Sequence, residues 1–174
     1  MTSPVEAYVA VGSNIDPERN ISIALDLLSR ELRLAAVSMF YWSRALGNPG
    51  LPDYLNGVVG ISTSTPPDAL KYDVLRGIES RLGRVRSDDK FAPRCIDLDV
   101  ILWGDTVMDT ERLKLPDPDI RNRPFIAAPL LELAPGLILP DRGGPLSAIV
   151  AAMRTDELVP NALFTETLRG RFIQ

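Results

Sequence analysis

The 174-residue sequence contains no histidine, and this absence removes several kinds of chemistry at once. Histidine is the commonest general base and a frequent zinc ligand, and it belongs to the usual serine and cysteine catalytic triads. The single cysteine, Cys95, excludes an intramolecular disulfide. Any reaction performed by this chain must therefore depend on carboxylates, arginines, lysines and metal ions.

Long apolar runs and an excess of positive charge are also missing. No segment approaches the roughly 18 apolar residues that a membrane-spanning helix needs, and the first residues lack a basic region followed by an apolar stretch. The formal net charge of −4 argues against a broad basic surface for nucleic acid. We expect a soluble, cytoplasmic protein without nucleic-acid or membrane partners, and the length favours one domain over residues 1–174.

The most informative motif is a pair of aspartates, Asp97 and Asp99, in an apolar run over residues 96–103 that predicts a buried strand. Side chains alternate along a strand, so both carboxylates project from one face with their Cα atoms ~7 Å apart. Burying a lone carboxylate is costly, so the pair predicts a site for one or two divalent metal ions. A short D-x-D also occurs by chance, with one aspartate in solvent and the other capping a turn.

Basic residues flank this strand on both sides. Solvated loop charge is the ordinary explanation for any single arginine. Two clusters around paired carboxylates are better explained by a ligand with several phosphates, which a metal ion bridges to the aspartates. The first cluster comprises Arg81, Arg84, Arg86, Lys90 and Arg94, and the second comprises Arg112, Lys114, Arg121 and Arg123.

Apolar periodicity and turn signals predict the order strand, helix, strand, strand, helix, strand. This order is typical of an α+β, ferredoxin-like (βαββαβ) antiparallel sheet with helices on one face, which leaves the other face free for a site. Asp16 is predicted as the N-cap of the first helix, and Pro17 as its first residue. The strands are expected at 7–11, 34–41, 55–62 and 96–103, and the helices at 17–32 and about 66–82.

Further elements are expected as C-terminal additions to this sheet. A hairpin is predicted over 106–115, and helical pieces are predicted near 124–133 and 146–153. The periodicity is weaker toward the end of the chain. We therefore expect residues 154–174 to form a loosely held tail.

Five strings combine into a specific pattern: GSN, LGxxxxPDYLN, GRVR, PRxIDLDVIL and PxxxxRPF. In this order and spacing they resemble the 6-hydroxymethyl-7,8-dihydropterin pyrophosphokinase family, over residues 7–153. The resemblance implies a monomeric enzyme of folate biosynthesis. Such an enzyme transfers the terminal pyrophosphoryl group of ATP to the hydroxymethyl group of the reduced pterin and releases AMP.

The resemblance also implies roles for individual residues. Asp97 and Asp99 match the ligands of two Mg²⁺ ions, a hard cation that prefers oxygen. Together with Arg84 and Arg94 they form the expected catalytic set, because charge developing on a transferring phosphoryl group needs positive groups already in place. The expected ATP-binding residues are Glu79, Arg84, Arg86, Arg94, Arg112, Lys114, Asp117 and Arg123. The expected pterin-binding residues are Ser43, Arg44, Leu46, Tyr54, Asn56, Phe91 and Phe125, among which two rings sandwich the heterocycle and an amide reads its edge.

Some positions depart from the family pattern. Asp117 stands where the family usually has histidine, Phe91 where it has tryptophan, and Arg44 where it has proline. Three other functions therefore stay open: transfer to a related, modified pterin, non-catalytic sensing of a pterin or nucleotide, and nucleotidyl or glycosyl transfer through the D-x-D motif. The charged loop 84–94 is expected to be mobile when empty and to close over both substrates.

Overall fold

Eight strands form the sheets of the computed structural model, which describes residues 3–47 and 49–174. They are β1 (Val5–Ser13), β2 (Arg33–Val37), β3 (Tyr41–Ser43), β4 (Tyr54–Thr63), β5 (Asp97–Trp103), β6 (Met108–Asp109), β7 (Lys114–Leu115) and β8 (Val159–Pro160). The main sheet has the order β5-β1-β4-β3-β8, and β2 also pairs with β4. All of these pairings are antiparallel, and β6 and β7 form the small predicted hairpin.

The helices follow the predicted order and add one at the end of the chain. They are α1 (Pro17–Glu31), α2 (Pro67–Ala69), α3 (Arg76–Arg81), α4 (Pro124–Leu133), α5 (Leu146–Ala151) and α6 (Ala162–Phe172), with a 3₁₀ turn at Pro118–Arg121. A π-helical turn, Leu70–Leu75, joins α2 to α3, so the predicted second helix is continuous but not regular. Within the described part of the chain, no helix is both long and apolar enough to cross a bilayer.

The first helix shows why its sequence folds as predicted. Its buried residues Ile21, Ala24, Leu25 and Leu28 recur at the i, i+3, i+4, i+7 spacing of one helical face. Asp16 occupies the N-cap as expected, but its backbone is left-handed (φ 41°) and its side chain makes no capping hydrogen bond. The apolar stripe therefore accounts for this helix better than the predicted cap.

The predicted second strand is divided into β2 and β3. The break lies at residues 38–40, where the Ser38 hydroxyl replaces a ladder partner by accepting a hydrogen bond of 2.8 Å from the Val58 backbone. Phe40 then turns fully into the core. A Cβ on Gly57 would lie 2.7 Å from its ring, so the glycine provides the space.

Helices cover both faces of the sheet, whereas the sequence predicted helices on one face and a second face free. One buried cluster joins residues of the sheet such as Val9 and Val59 to α1, the α2–α3 helix and α6. A second cluster joins Tyr8, Val58 and Ile101 to α4 and α5. The second face therefore stays open only where α4 and α5 do not reach.

The C-terminal segment is not a loose tail, and that prediction is wrong. β8 adds to the edge of the sheet by pairing with β3. In α6, the ring of Phe164 packs edge-on against Phe40 with centroids 5.9 Å apart. Thr165 is fully buried, and its hydroxyl accepts a 2.9 Å hydrogen bond from the Phe40 backbone. These contacts are long-range, so local periodicity could not reveal them.

Candidate active site

The candidate site is built on three neighbouring strands, and β1 supplies its floor. In the sheet register Gly12 lies opposite Asn56 of β4 on one side and Asp97 of β5 on the other. Two residues earlier in β1, Ala10 lies opposite Asp99 of β5. Because side chains alternate, all of these residues face the side of the sheet that carries α4. Gly12 and Ala10, on the middle strand, leave room between the side-chain amide of Asn56 and the two aspartate carboxylates.

Gly12 is required by the position of the amide. A Cβ on Gly12 would lie 2.4 Å from Asn56 Oδ1, which is far closer than real contacts allow. The other end of the same amide donates a 2.9 Å hydrogen bond from Nδ2 to Ser43 Oγ. Asn56 is only 8% exposed, so its orientation is set by these two neighbours.

A cavity of about 410 Å³ lies above this floor, a volume within the usual range for small-molecule sites. It brings together all seven residues predicted for the pterin, together with five of the residues predicted for metal or ATP. The first group is Ser43, Arg44, Leu46, Tyr54, Asn56, Phe91 and Phe125, and the second is Arg94, Asp97, Asp99, Asp117 and Arg123. Lys90, a member of the first basic cluster to which no individual role was given, and Asp119, which was not predicted for the site, also line it.

Asp97 is held by two arginines. Arg84 Nη1 lies 2.7 Å from its Oδ1, and Arg94 Nη1 lies 2.8 Å from its Oδ2. Burial alone would raise the pKa of Asp97, but the charges and hydrogen bonds of both guanidinium groups outweigh it, and the pKa lies below its usual value. The carboxylate is therefore ionised and already surrounded by positive charge.

Glu79 extends this ionic network beneath the cavity. It is 3% exposed and contacts Arg84 directly, while Arg86 Nη2 lies 3.4 Å from its Oε1. Arg84 thus lies between two carboxylates, Glu79 and Asp97. Glu79, Arg84 and Arg86 do not line the cavity itself, so Glu79 supports the arginine from behind.

Asp99 has a different partner, which sequence reasoning missed. Lys71 Nζ, from the π-helical turn, lies 3.1 Å from Asp99 Oδ1. That oxygen is buried and has no aligned hydrogen-bond donor among the described residues, so the contact is a plain ion pair. Burial, together with the charges of Asp97 and Asp119, raises the pKa of Asp99 despite the opposing effect of Lys71. No spacing in the sequence links this lysine to the D-x-D motif.

Asp117 lies in the same acidic corner. It is the N-cap of the 3₁₀ turn, and its carboxylate accepts a 2.8 Å hydrogen bond from the Asp119 backbone. Burial and the charges of Asp99 and Asp119 raise its pKa to about 6, against the opposing effects of that hydrogen bond and of Lys71. At neutral pH this side chain brings a further negative charge close to Asp99.

Besides Glu79, Arg84 and Arg86, two more residues predicted for ATP, Arg112 and Lys114, lie outside the cavity. The guanidinium of Arg112 stacks over the ring of Tyr72 at 4.3 Å, and Lys114 Nζ lies 3.3 Å from Asp109 of the hairpin. Tyr72 follows Lys71 in the chain, so Arg112 borders the site through the π-helical turn. Lys114 faces an exposed carboxylate and is not among the described residues that line the cavity.

The GSN string anchors the end of the 84–94 loop, a role that sequence reasoning did not assign. Asn14 exchanges backbone and side-chain hydrogen bonds with Arg94, at 3.1 and 2.8 Å. Ser13 Oγ donates to the Cys95 carbonyl at 2.6 Å. Both polar residues are buried, so the end of β1 fixes the backbone that carries Arg94.

A second, more open groove of about 460 Å³ lies between β3 and α4, away from the carboxylates. Among the described residues that line it, the one charged side chain is Glu132, which already accepts hydrogen bonds from Arg169 Nη2 at 2.6 Å and from the Met39 backbone. The groove therefore lacks the converging free charges of the first cavity.

The protein has an α+β fold with an antiparallel sheet, and one cavity on that sheet contains paired carboxylates, arginines and aromatic rings. These are the features of a group-transfer enzyme for an anionic substrate. The sequence model of the 7,8-dihydro-6-hydroxymethylpterin-pyrophosphokinase (HPPK) family matches residues 8–135. The chain belongs to this family.

Named relatives align with this chain over most of their own length. The 2-amino-4-hydroxy-6-hydroxymethyldihydropteridine pyrophosphokinase of Pseudomonas aeruginosa is 44% identical over 148 residues, which are 83% of this chain and 90% of the relative. The Haemophilus influenzae enzyme of the same name is 39% identical over 140 residues, covering 79% and 86%. The solved Plasmodium falciparum HPPK-DHPS, with pterin and p-hydroxybenzoate, superposes with a TM-score of 0.59 at 13% identity. It covers 87% of this chain and 43% of that longer chain, and at this identity it shows the fold alone.

Proposed function

We propose that the protein transfers the pyrophosphoryl group of ATP to the hydroxymethyl group of 6-hydroxymethyl-7,8-dihydropterin, with AMP as the second product, in folate biosynthesis. Membership of the HPPK family makes it an enzyme with diphosphotransferase activity. The observation that carries the assignment of the site is one cavity shared by Asp97, Asp99, Tyr54, Asn56 and Phe125. Asn56 and Asp97 lie on either side of β1, so their Cα atoms are about 10 Å apart, a fitting distance between a bound ring and a metal-bound phosphate.

Two Mg²⁺ ions are proposed to bind at Asp97 and Asp99. Asp99 Oδ1, which is buried and paired only with the exchangeable ammonium of Lys71 among the described residues, and the shared orientation of the two carboxylates fit an oxygen-preferring cation. The described residues contain no cluster of three histidine, cysteine or acidic side chains that could hold a metal, so phosphate oxygens and water would complete the coordination, as Mg²⁺ commonly requires. Bound Mg²⁺ would offset charge on the phosphates.

The arginines are proposed to act by exchanging partners. Arg84 and Arg94 each donate to one oxygen of Asp97, and a metal ion held by this carboxylate would compete with them for its charge. A guanidinium released in this way lies beside the phosphates, where negative charge develops during transfer. Arg123 lines the same cavity and adds a further positive group. Arg86 and Arg112 are proposed to contact ATP at the border of the cavity. The ion pair of Lys114 with Asp109 gives no support to its predicted role in ATP binding.

The pterin is proposed to lie between Tyr54 and Phe125, with its edge bonded to Asn56. Flat polar rings are held by stacking and oriented by a few hydrogen bonds. Ser43 keeps the amide of Asn56 in one orientation. The ring of Phe91 lies directly over Gly47, so the 84–94 loop already touches the loop that follows β3. Closure of these two loops would exclude water, which competes with the alcohol as acceptor.

One observation favours a modified pterin as an alternative acceptor. The exposed guanidinium of Arg44 lines the cavity and forms no ion pair across residues 3–47 and 49–174. A positive group without a protein partner beside the pterin position fits an acceptor that carries an anionic or polar substituent. Comparing turnover of hydroxymethyldihydropterin with that of a carboxylated analogue, in the wild type and in Arg44→Pro, separates the two acceptors.

The central experiment follows AMP release from ATP in the presence of hydroxymethyldihydropterin. We expect pterin-dependent AMP release that falls by about 100-fold or more in Asp97→Asn and Asp99→Asn, because each change replaces an anionic metal ligand with a neutral amide. Asp105→Asn, which alters an exposed carboxylate at the far end of β5, is the matched control. Pyrophosphate or nucleoside diphosphate release in place of AMP would indicate another transferase, and nucleotide binding that is indifferent to Mg²⁺ would indicate a sensor.

The finer features of the fold are also proposals. The order β5-β1-β4-β2 within the sheet, with α1 and α3 packed on one face, supports the ferredoxin-like arrangement. We propose a single domain over residues 1–174 and a cytoplasmic monomer. Light scattering of the purified protein would test the monomer.

A further inference from the structure

The π-helical turn Leu70–Leu75 gives the second helix an unusual face. Leu70 and Leu75 are both fully buried, although residues five apart do not share a face in a regular α-helix. The wider turn, closed by a hydrogen bond from the Arg76 backbone to the Lys71 carbonyl, brings them to the same side. Single π turns are frequent at functional sites, and this one carries Lys71 to the edge of the cavity.

The backbone of this turn is clamped from outside. The guanidinium carbons of Arg76 and Arg112 lie 4.1 and 4.3 Å from the centre of the Tyr72 ring, and the Tyr72 hydroxyl donates to the Arg112 carbonyl at 2.5 Å. These cation–π contacts and the hydrogen bond hold the segment in place. Lys71 Nζ lies 5.9 Å from the centre of the same ring, and its flexible side chain reaches from this segment to Asp99.

Each carboxylate of the D-x-D pair is therefore paired with different basic side chains in the substrate-free protein. Arg84 and Arg94 hold Asp97, and both belong to the loop expected to close. Lys71 holds Asp99, and its side chain is 20% exposed, so the ammonium can reach water or a ligand. An ammonium on a four-carbon stem is suited to exchanging one anion for another nearby.

We propose that Lys71 is a positioning residue that serves as an exchangeable counter-ion: it holds Asp99 in the empty enzyme and turns to the triphosphate once Asp99 holds a metal ion. The inference rests on the proposed metal site. It predicts effects of opposite sign when the ammonium is removed. A divalent cation alone binds more tightly, because its competitor at Asp99 is gone, whereas the nucleotide binds more weakly, because a phosphate contact is lost.

The test compares Lys71→Met with Lys71→Arg and with Arg154→Met, which removes an exposed charge near the C-terminus. Mn²⁺ binding to the nucleotide-free protein is measured by electron paramagnetic resonance, and binding of a non-hydrolysable ATP analogue with Mg²⁺ is measured by calorimetry. For Lys71→Met we expect about fivefold tighter Mn²⁺ and about fivefold weaker analogue binding. Lys71→Arg should keep the affinity for the analogue, and Arg154→Met should change neither.

Changes of the same sign in both affinities, or no change in either, would overturn the role of Lys71, since a merely destabilised variant weakens both. Asp99→Asn separates this failure from failure of the metal site. Mn²⁺ binding that depends on Asp99 but not on Lys71 refutes only the counter-ion. Mn²⁺ binding that is unchanged in Asp99→Asn refutes both the proposed metal site and the proposed counter-ion role of Lys71.

Discussion

Replacing Asp117 by asparagine should stabilise the protein, and more so at high pH than at low pH. The residue caps the 3₁₀ turn through a hydrogen bond from the Asp119 backbone, which an amide oxygen can accept equally well. The substitution is nearly isosteric and removes only the charge. It therefore isolates the cost of ionising a carboxyl group beside Asp99 and Asp119.

The magnitude follows from the pKa of Asp117, which is raised from 3.8 to about 6. A folded-state pKa above the unfolded value means that the folded protein binds the proton more tightly. Ionisation therefore lowers stability progressively as the pH rises from about 4 to about 6. Each pKa unit corresponds to about 1.4 kcal/mol, so Asp117→Asn should be more stable than the wild type by about 1 kcal/mol at pH 4.5 and about 3 kcal/mol at pH 8.

Urea unfolding at pH 4.5 and pH 8, with chelator present to keep the carboxylates metal-free, measures this difference. The exposed carboxylate of Asp105 provides the control, since Asp105→Asn should change the free energy of unfolding by less than about 0.5 kcal/mol at either pH. A stabilisation by Asp117→Asn that is the same at both pH values would refute the reasoning, because a pH-independent effect has no connection with ionisation.

Two further predictions concern other parts of the molecule. Gly12→Ala should displace the amide of Asn56 and raise KM for the pterin by about tenfold or more while leaving ATP affinity within about twofold, because the new methyl group meets the amide and not the phosphates. An equal loss of affinity for both substrates would contradict that separation. Phe164→Ala should lower the free energy of unfolding by about 3 kcal/mol, since it empties the contact with Phe40. The neighbouring, exposed Leu163→Ala serves as the control in urea unfolding, and equal losses in the two variants would mean that α6 is not docked.

Local patterns predicted much of the fold correctly. The 17–32 periodicity corresponds to α1, and the apolar runs near 55–62 and 96–103 correspond to β4 and β5. Asp97 and Asp99 do face the same side of the sheet, as the alternation on a strand requires. These features depend on residues that are only a few positions apart in the chain, so they can be predicted from the sequence.

Long-range features were beyond such reasoning. Nothing near Lys71 in the sequence indicates that it pairs with Asp99, because the contact depends on how an irregular helical turn packs against β5, a strand much further along the chain. The docking of α6 escaped prediction for a similar reason. Its apolar side chains have weak periodicity and are buried against α1, β2 and Phe40.

The amino-acid sequence by itself determined the family, the main strands and helices, and the identity of the paired carboxylates, because motif spacing and apolar periodicity are properties of the chain. Only the tertiary structure decided which cation lies against each carboxylate, that Gly12 makes room for the amide, and that both faces of the sheet are covered. Those features depend on distances between segments that are remote along the chain, and such distances are set by packing once the core has formed.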